Sequence, residues 1–376
     1  MGQAKEKPDF QLFLLTAVLC AFGLIMVYSA SAVLADERYG SSVHYVGRQA
    51  LWLAVGTIAL AAVSRLDLAR LRPLAVPALF ASLFLALLVC VPGVGRSVGG
   101  AQRWFRLGPL SFQPSEALKL AWVVFLADSL ARRRDRLGDL KGLAPYVVLL
   151  VAAGVLLQLQ HDFGSAVMLC VLTAVMLFMA GVRFRYLAVP GLFLLAGLVL
   201  LVVVTPYRMR RISAFLHPWD DPLGAGFQLI QSLIAVGSGG PLGVGLSNST
   251  QKLFYLPAPH TDFIFAIVSE ELGLWGSTGL VLVFALFTFR GLKVASSAAM
   301  KREGLFLGLL AVGLTGLVAF QAFLNLGVVT GLLPTKGLPL PLVSYGGTSL
   351  VFTLLAVGLL LNVSRGSRIH GEAYER

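Results

Sequence analysis

The sequence predicts an all-α integral membrane protein with about ten transmembrane helices, and three observations predict it. First, only 13% of its 376 residues are charged and 57% are hydrophobic, where a soluble domain carries about 25% charged residues. Second, the mean hydropathy is +0.83. Third, the apolar residues fall in runs of roughly 20, the length a helix needs to cross the hydrocarbon core. The two-residue alternation of an outer-membrane barrel is missing from these runs, so the spans read as helices. The whole chain, 1–376, reads as a single polytopic domain without an internal repeat.

In order, the spans are expected near 11–34, 46–63, 73–92, 114–131, 143–160, 162–181, 185–204, 262–289, 303–328 and 345–364. The first follows Lys5 and Lys7 and contains "ASA" at 30–32, which mimics a signal peptide. Its apolar run is longer than a signal core, so it reads as an uncleaved first span. The fifth and sixth are separated by "QHDF", a tight turn. Cys20, Cys90 and Cys170 sit in apolar runs at unrelated spacings and read as packing residues.

Basic residues set the orientation. One alternating set of connections holds Lys5 and Lys7, "RLDLARLR" (65–72), "RRRDRLGDLK" (132–141), Arg183 and Arg185, "FRGLK" (289–293) with Lys301 and Arg302, and Arg365 with Arg368. The positive-inside rule places these, and both termini, in the cytoplasm. The net charge of +12 reflects this bias, with some attraction to the anionic lipid of the bilayer. It is not a nucleic-acid footprint, because no basic face carries interleaved stacking aromatics.

Two external segments are then long, 93–113 and 205–261, the latter between spans seven and eight. The first holds Arg96, Arg103 and Arg106 without an acid, and Trp104 and Phe105 at the expected headgroup level. The second holds Arg208, Arg210, Arg211 and Lys252 against Asp220 and Asp221. Basic residues beside outer span ends oppose the orientation rule. They are either tolerated exceptions or ligands for an anion such as a lipid diphosphate. "GFQLIQSLIAVGSGGPLGVGL" (226–246) is apolar at helical spacing but interrupted by glycines, and is expected to form an amphipathic or re-entrant helix lying on or dipping into the outer face.

Ionisable residues inside apolar runs are costly unless paired or facing a polar site. Glu116 and Lys119 lie at i, i+3 in "QPSEALKL" and form either a structural ion pair or part of a ligand site. Asp162 is either a helix cap or a site residue. Glu270 and Glu271 fall roughly 12 Å below Asp262 at 1.5 Å per residue, with Lys119 as the expected partner of one of them. Asp262, at the entrance of the eighth span, is either an acid favouring the helix dipole or a working carboxylate.

Four stretches taken together, "GAQRWFRLGPLSFQPSEALKL", "QHDFGSA", "LPAPHTDFIFAIVSEELG" and "GLLPTKGLPLPLVSYGGTSL", resemble the SEDS family of bacterial cell-wall glycan polymerases, with FtsW and RodA as its best-known branches. The resemblance covers essentially all ten spans, and "PTKG" is the FtsW-like form. Two departures stand out. Ala258-Pro259 replaces a pair in which an acidic residue often precedes the histidine, and His161 stands where a proline is usual, which is expected to loosen that turn.

The resemblance implies a glycosyltransferase that polymerises lipid II into β-1,4-linked glycan with inversion. Its active site would face the extracytoplasmic side of the bacterial cytoplasmic membrane, at the division septum. It carries the essential aspartate onto Asp262. Arg103, Trp104, Arg106, Glu116, Lys119, Asp162, Arg208, Arg210, Lys252, His260, Lys336 and Ser344 become the candidate substrate-binding residues, with Glu270 and Glu271 as buried structural charges. The leaving diphosphate would be met by the arginines, by Lys119 or by a divalent cation, Mg or Mn. The implied partners are a class B penicillin-binding protein of the FtsI type and other membrane proteins of the divisome. A RodA-like elongation polymerase, a lipid-linked oligosaccharide flippase or transporter, and a division scaffold are the alternative readings.

Overall fold

The computed structural model describes residues 8–98, 101–107, 110–253, 255–300 and 304–366. Lys5, Lys7, Lys301, Arg302 and Arg368 lie outside the described residues. The chain forms α1 (Phe10–Tyr39), α2 (His44–Val63), α3 (Leu71–Leu88), a small sheet of β1 (Arg96–Val98), β2 (Ala101–Leu107) and β3 (Leu110–Phe112), then α4 (Pro114–Arg132), α5 (Leu140–Leu159), α6 (Phe163–Met179), α7 (Phe184–Val203), α8 (Pro206–Leu216), α9 (Phe227–Ser238), α10 (Ile264–Ala299), α11 (Gly304–Val329) and α12 (Gly347–Ser364).

Every expected span coincides with a helix. Among the described residues, seven helices are long and apolar enough to cross a membrane: α1, α2, α3 (with the turn before it), α5, α10, α11 and α12. Local chemistry sets their ends. Asp9 caps α1 by accepting from the Leu12 amide, and Gly40 closes it with φ 66°. Asp139 caps α5, and Pro114 starts α4, where a missing N–H costs nothing. "ASA" lies within α1, where Ala30 and Ser31 are buried.

The core gathers around α11, which packs on α4, α6, α9, α10 and α12. Trp122 is fully buried there and donates its indole N–H to Thr173 at 2.9 Å. By contrast α7 packs chiefly on α6 and α8. Large apolar side chains cover the outward surfaces of α1, α2, α3, α5, α7 and α10, as a lipid-facing surface requires. The cysteines are free, with Cys20 buried and Cys90 and Cys170 half-buried.

Two features differ from the sequence expectation, the sheet in segment 93–113 and the bounds of α10. Segment 93–113 is not a plain loop: β2 pairs antiparallel with β1 and with β3, matching Phe105 to Phe112 and Arg106 to Ser111. The alternation in "AQRWFRL" is a strand signal too short to outweigh its loop-like flanks. Within 226–246, the expected helix is present as α9, Phe227–Ser238, and the glycine-rich remainder is not helical. The eighth span begins at Ile264, not at Asp262, and α10 runs for 36 residues. At 1.5 Å per residue that is about 54 Å, well beyond a hydrocarbon core. A kink at Gly273, with φ 64° and ψ −161°, divides it.

That kink receives the glycine-rich chain that follows α9. Val244 and Gly245 amides donate to Glu270 and Glu271 carbonyls at 3.0 Å each, and the Leu274 amide returns a bond to the Gly240 carbonyl at 2.8 Å. A Cβ on Gly243, itself at φ 81°, would lie 2.2 Å from the Glu271 carbonyl oxygen. Only glycine lets two backbones meet this closely, and each satisfies the other's polar groups.

Candidate active site

Asp262 lies two residues before α10, outside the spanning helix, at the end of the bundle where α1 meets α2. The Asn325 side chain on α11 fixes its backbone, donating one N–H to the Asp262 carbonyl and another to the Leu338 carbonyl, both at 2.7 Å. Ser344 accepts from the Leu340 amide at 2.8 Å and donates to the Thr261 carbonyl at 2.6 Å. The Tyr345 amide reaches the His260 carbonyl at 2.9 Å. Gln49 of α2 donates to the Ser344 carbonyl at 3.0 Å. Two loops, 258–262 and 335–346, are therefore stitched into one unit around the aspartate. Gly337 lets the carboxylate pass, since a Cβ there would sit 3.0 Å from Asp262 Oδ2.

The electrostatics follow from burial among cations. Burial raises the Asp262 carboxyl to about 6, against the pull of Arg103 and Arg211, which lowers it. The Arg211 guanidinium donates to the Thr335 carbonyl at 3.0 Å. The Lys336 ammonium stands 4.6 Å from the centroid of the Phe163 ring, and Arg208 is 5.7 Å from the same ring. Burial lowers Lys336 to about 8. Arg103 donates to the Gln160 carbonyl at 3.1 Å and to the His161 carbonyl.

That α5–α6 turn is pinned, not loosened. His161 adopts φ 61°, which a proline locked near −65° cannot reach. Its amide bonds to Gln158 at 2.9 Å and the Asp162 amide to Leu157 at 2.8 Å. Ala258, the other departure, also takes a positive φ, 52°, in the turn before His260.

The structure gives several candidate ligands other employment. Asp162 caps α6, accepting from the Ser165 amide at 3.2 Å and its hydroxyl at 2.8 Å. Lys119, fully buried, bonds to Glu116 and to Gln321 at 2.9 Å each. The expected partnership of Lys119 with Glu270 or Glu271 is thus corrected. Glu271 instead pairs with Lys252 at 2.8 Å and accepts from Ser29 at 2.7 and 2.6 Å. Lys252 is buried in that pair, because the chain descends beside α10 where a bare ammonium would be costly. Glu270 accepts from Ser249, from the Thr250 amide and hydroxyl at 2.9 Å each, and from the Gln251 amide. Ser344 is spent on backbone groups, as described.

His260 is buried 4.5 Å from the Tyr45 ring and 5.5 Å from Tyr345. Burial, then Arg38, lowers its pKa to about 4, so it stays neutral. Trp104 is half-buried in β2, while Arg106 and Arg210 are exposed. Arg103 and Arg211 thus act on Asp262, Lys336 and Arg208 meet at the neighbouring Phe163 ring, and Glu116, Lys119 and Lys252 join neither group. Sequence reasoning missed Ser29, Gln49, Phe163, Gln321 and Asn325. The polar ones carried a faint signal, as hydrogen-bonding side chains within apolar runs.

Fold and site together define a polytopic helical membrane protein with one carboxylate held among cations at one end of its bundle. The family model described as cell cycle protein, that of FtsW, RodA and SpoVE, matches residues 10–369, and the chain belongs to this family. It is 45% identical over 360 residues to the probable peptidoglycan glycosyltransferase FtsW of Geobacter sulfurreducens, covering 96% of this chain and 95% of that one. It is 44% identical over 369 residues to stage V sporulation protein E of Bacillus subtilis, covering 98% and 100%. A solved chain described under the structural coordination of polymerization and crosslinking by a peptidoglycan synthase complex superposes with a TM-score of 0.78, at 36% identity, over 96% of this chain and 98% of that one. The rod shape determining protein RodA of Thermus thermophilus superposes with a TM-score of 0.70, at 31% identity, over 96% and 97%.

Proposed function

We propose that this chain is a peptidoglycan glycosyltransferase that polymerises lipid II into β-1,4-linked glycan during cell division, at the outer leaflet of the bacterial cytoplasmic membrane. One observation carries the reading: Asp262, lifted by burial to about 6, stands beside Arg103, Arg211 and the Lys336 loop. A base that is ionised at neutral pH yet still basic suits proton removal from a sugar hydroxyl. The acceptor's 4-hydroxyl oxygen bonds to C1 of the donor sugar while the bond from C1 to the diphosphate oxygen breaks. The hydroxyl proton passes to the Asp262 carboxylate, and the diphosphate lipid leaves toward the cations. One displacement turns the α-linked donor into a β-linked product, so no second carboxylate is needed.

Among the described residues, no group of three or more His, Cys, Asp and Glu could hold a metal ion. Asp262 together with a substrate diphosphate is nevertheless a donor set that suits Mg²⁺ or Mn²⁺, which would neutralise charge on the leaving group.

The ten long helices cross the bilayer with both termini cytoplasmic and Asp262 outside. The basic connections support this, since Arg65, Arg70, Arg132–Arg134, Arg183, Arg185, Lys293 and Arg365 all fall at the end opposite Asp262. The 45% identity to a probable peptidoglycan glycosyltransferase FtsW supports the division reading. The partner is a class B penicillin-binding protein of the FtsI type, with other divisome proteins at the septum. The likeness to a chain described with both polymerization and crosslinking supports that pairing.

Purified protein with fluorescent lipid II, resolved on a glycan gel, tests the reading. Polymer formation is the expected result. Lipid translocation without polymer would make the chain a flippase, and neither would leave a scaffold.

A further inference from the structure

Loop 335–338 sits between the aspartate and the start of α6. Gly337 lies against the Asp262 carboxylate. Leu338 is seated on α6, where a Cβ on Gly164 would meet its Cγ at 2.9 Å. Between them, Lys336 faces the Phe163 ring at 4.6 Å. Arg208, from a different segment, approaches the same ring at 5.7 Å. Two like charges repel, yet here they converge on one aromatic ring. The negative face of the ring attracts each cation, more strongly when the pair is desolvated. Among the described residues Lys336 forms no ion pair with a carboxylate, so its charge is left for something else to neutralise.

Phe163 begins the helix that Asp162 caps, and Arg103 pins the turn before it through the Gln160 and His161 carbonyls. The ring is thus held on a fixed support; Arg208, on α8, is also tied beside it by donating to the Gln158 side-chain oxygen at 2.5 Å, while Lys336 comes from the 335–338 loop. We propose that Phe163 is a positioning residue: its ring holds Lys336 and Arg208 as a paired clamp for the diphosphate of a polyprenyl-diphosphate substrate beside Asp262. This rests on the proposed glycosyl transfer for its substrate, but the clamp binds a polyprenyl diphosphate whether or not transfer occurs.

The experiment varies the ring's electrostatics while nearly keeping its shape. Phe163→Leu, Phe163→Tyr and the wild type with 3,4,5-trifluorophenylalanine placed at position 163 are purified in detergent. Two readouts are taken: initial rate against lipid II concentration, and thermal stabilisation by farnesyl diphosphate without lipid II. Phe163→Leu should weaken farnesyl diphosphate binding about tenfold and raise the apparent KM for lipid II similarly. The trifluorinated ring should weaken both by several-fold, and Phe163→Tyr should match the wild type. Equal binding by the wild type and the trifluorinated protein would overturn the clamp, leaving Phe163 as packing. No stabilisation of the wild type by farnesyl diphosphate would overturn it too. Normal stabilisation with no glycan from the wild type would instead sink the polymerase reading and leave the clamp standing.

Discussion

Asp262 and Glu271 lie nine residues apart on one stretch of chain, and their surroundings are opposite. Glu271 is fully buried, matched to one lysine and accepting from one serine hydroxyl that lies against both of its oxygens. Its neighbour Glu270 caps the turn at 249–251 with comparable thoroughness. Both carboxylates are consumed in holding the descending chain to α10 and α1. Asp262 is half-buried, and its carboxyl is pushed up by desolvation to about 6 against the pull of Arg103 and Arg211. A saturated carboxylate holds structure, whereas one whose pKa lies near neutrality can exchange a proton.

The largest expected effect breaks the comparison on the Asp262 side. Asp262→Asn keeps size and polarity but cannot accept the proton, so polymerisation should fall by about 10²–10⁴-fold, with the melting temperature of the purified protein unchanged. Near-normal glycan synthesis by a folded mutant would remove the base assignment. On the other side, Lys252→Met leaves Glu271 charged and unmatched, which costs about 3–5 kcal/mol for a broken buried pair. Thermal unfolding should show this loss, and Lys252→Met combined with Glu271→Gln should regain much of it. A stable Lys252→Met protein with poor lipid II affinity would instead return Lys252 to the substrate site.

The pH profile sharpens the contrast. Asp262 must be ionised, so kcat/KM should rise with pH up to about 6, changing about tenfold per unit below that. Lys336 must be protonated, so the profile should fall above about 8. The acid limb should vanish from the residual activity of Asp262→Asn. The smallest effect belongs to Arg103. Lysine cannot reproduce the guanidinium fork that serves both the turn and an anion. Arg103→Lys should raise the apparent KM for lipid II a few-fold and Arg103→Ala more. Superimposed rate curves for all three proteins would leave Arg103 as an anchor of the α5–α6 turn alone.

Much of this was legible in one dimension. Run length and the sparseness of charge predicted the helix ends to within about five residues, except that α10 runs to Ala299, well past its expected end at 289. They could do so because the cost of burying backbone and charge in lipid is local and additive along the chain. The same cost singled out Glu116, Lys119, Asp262, Glu270 and Glu271. The small sheet at 96–112 was less legible, since strand pairing depends on partners and not on a residue's own run.

Pairing was beyond the sequence altogether. Nothing in the spacing of Lys252 says that the chain after α9 descends to Glu271, or that Lys119 turns to Gln321 on α11. Phe163 reads as an ordinary helix start until two cations 45 and 173 residues further along the chain, one on α8 and one in the loop before α12, converge on it. The sequence by itself determined which segments enter the membrane and which residues are too polar to be there without a reason. Tertiary structure alone decided which of those residues neutralise one another and which are left charged for a ligand. Solvation acts on each residue where it stands, whereas Coulomb attraction and hydrogen bonding act over a few ångströms of space that only the folded chain defines.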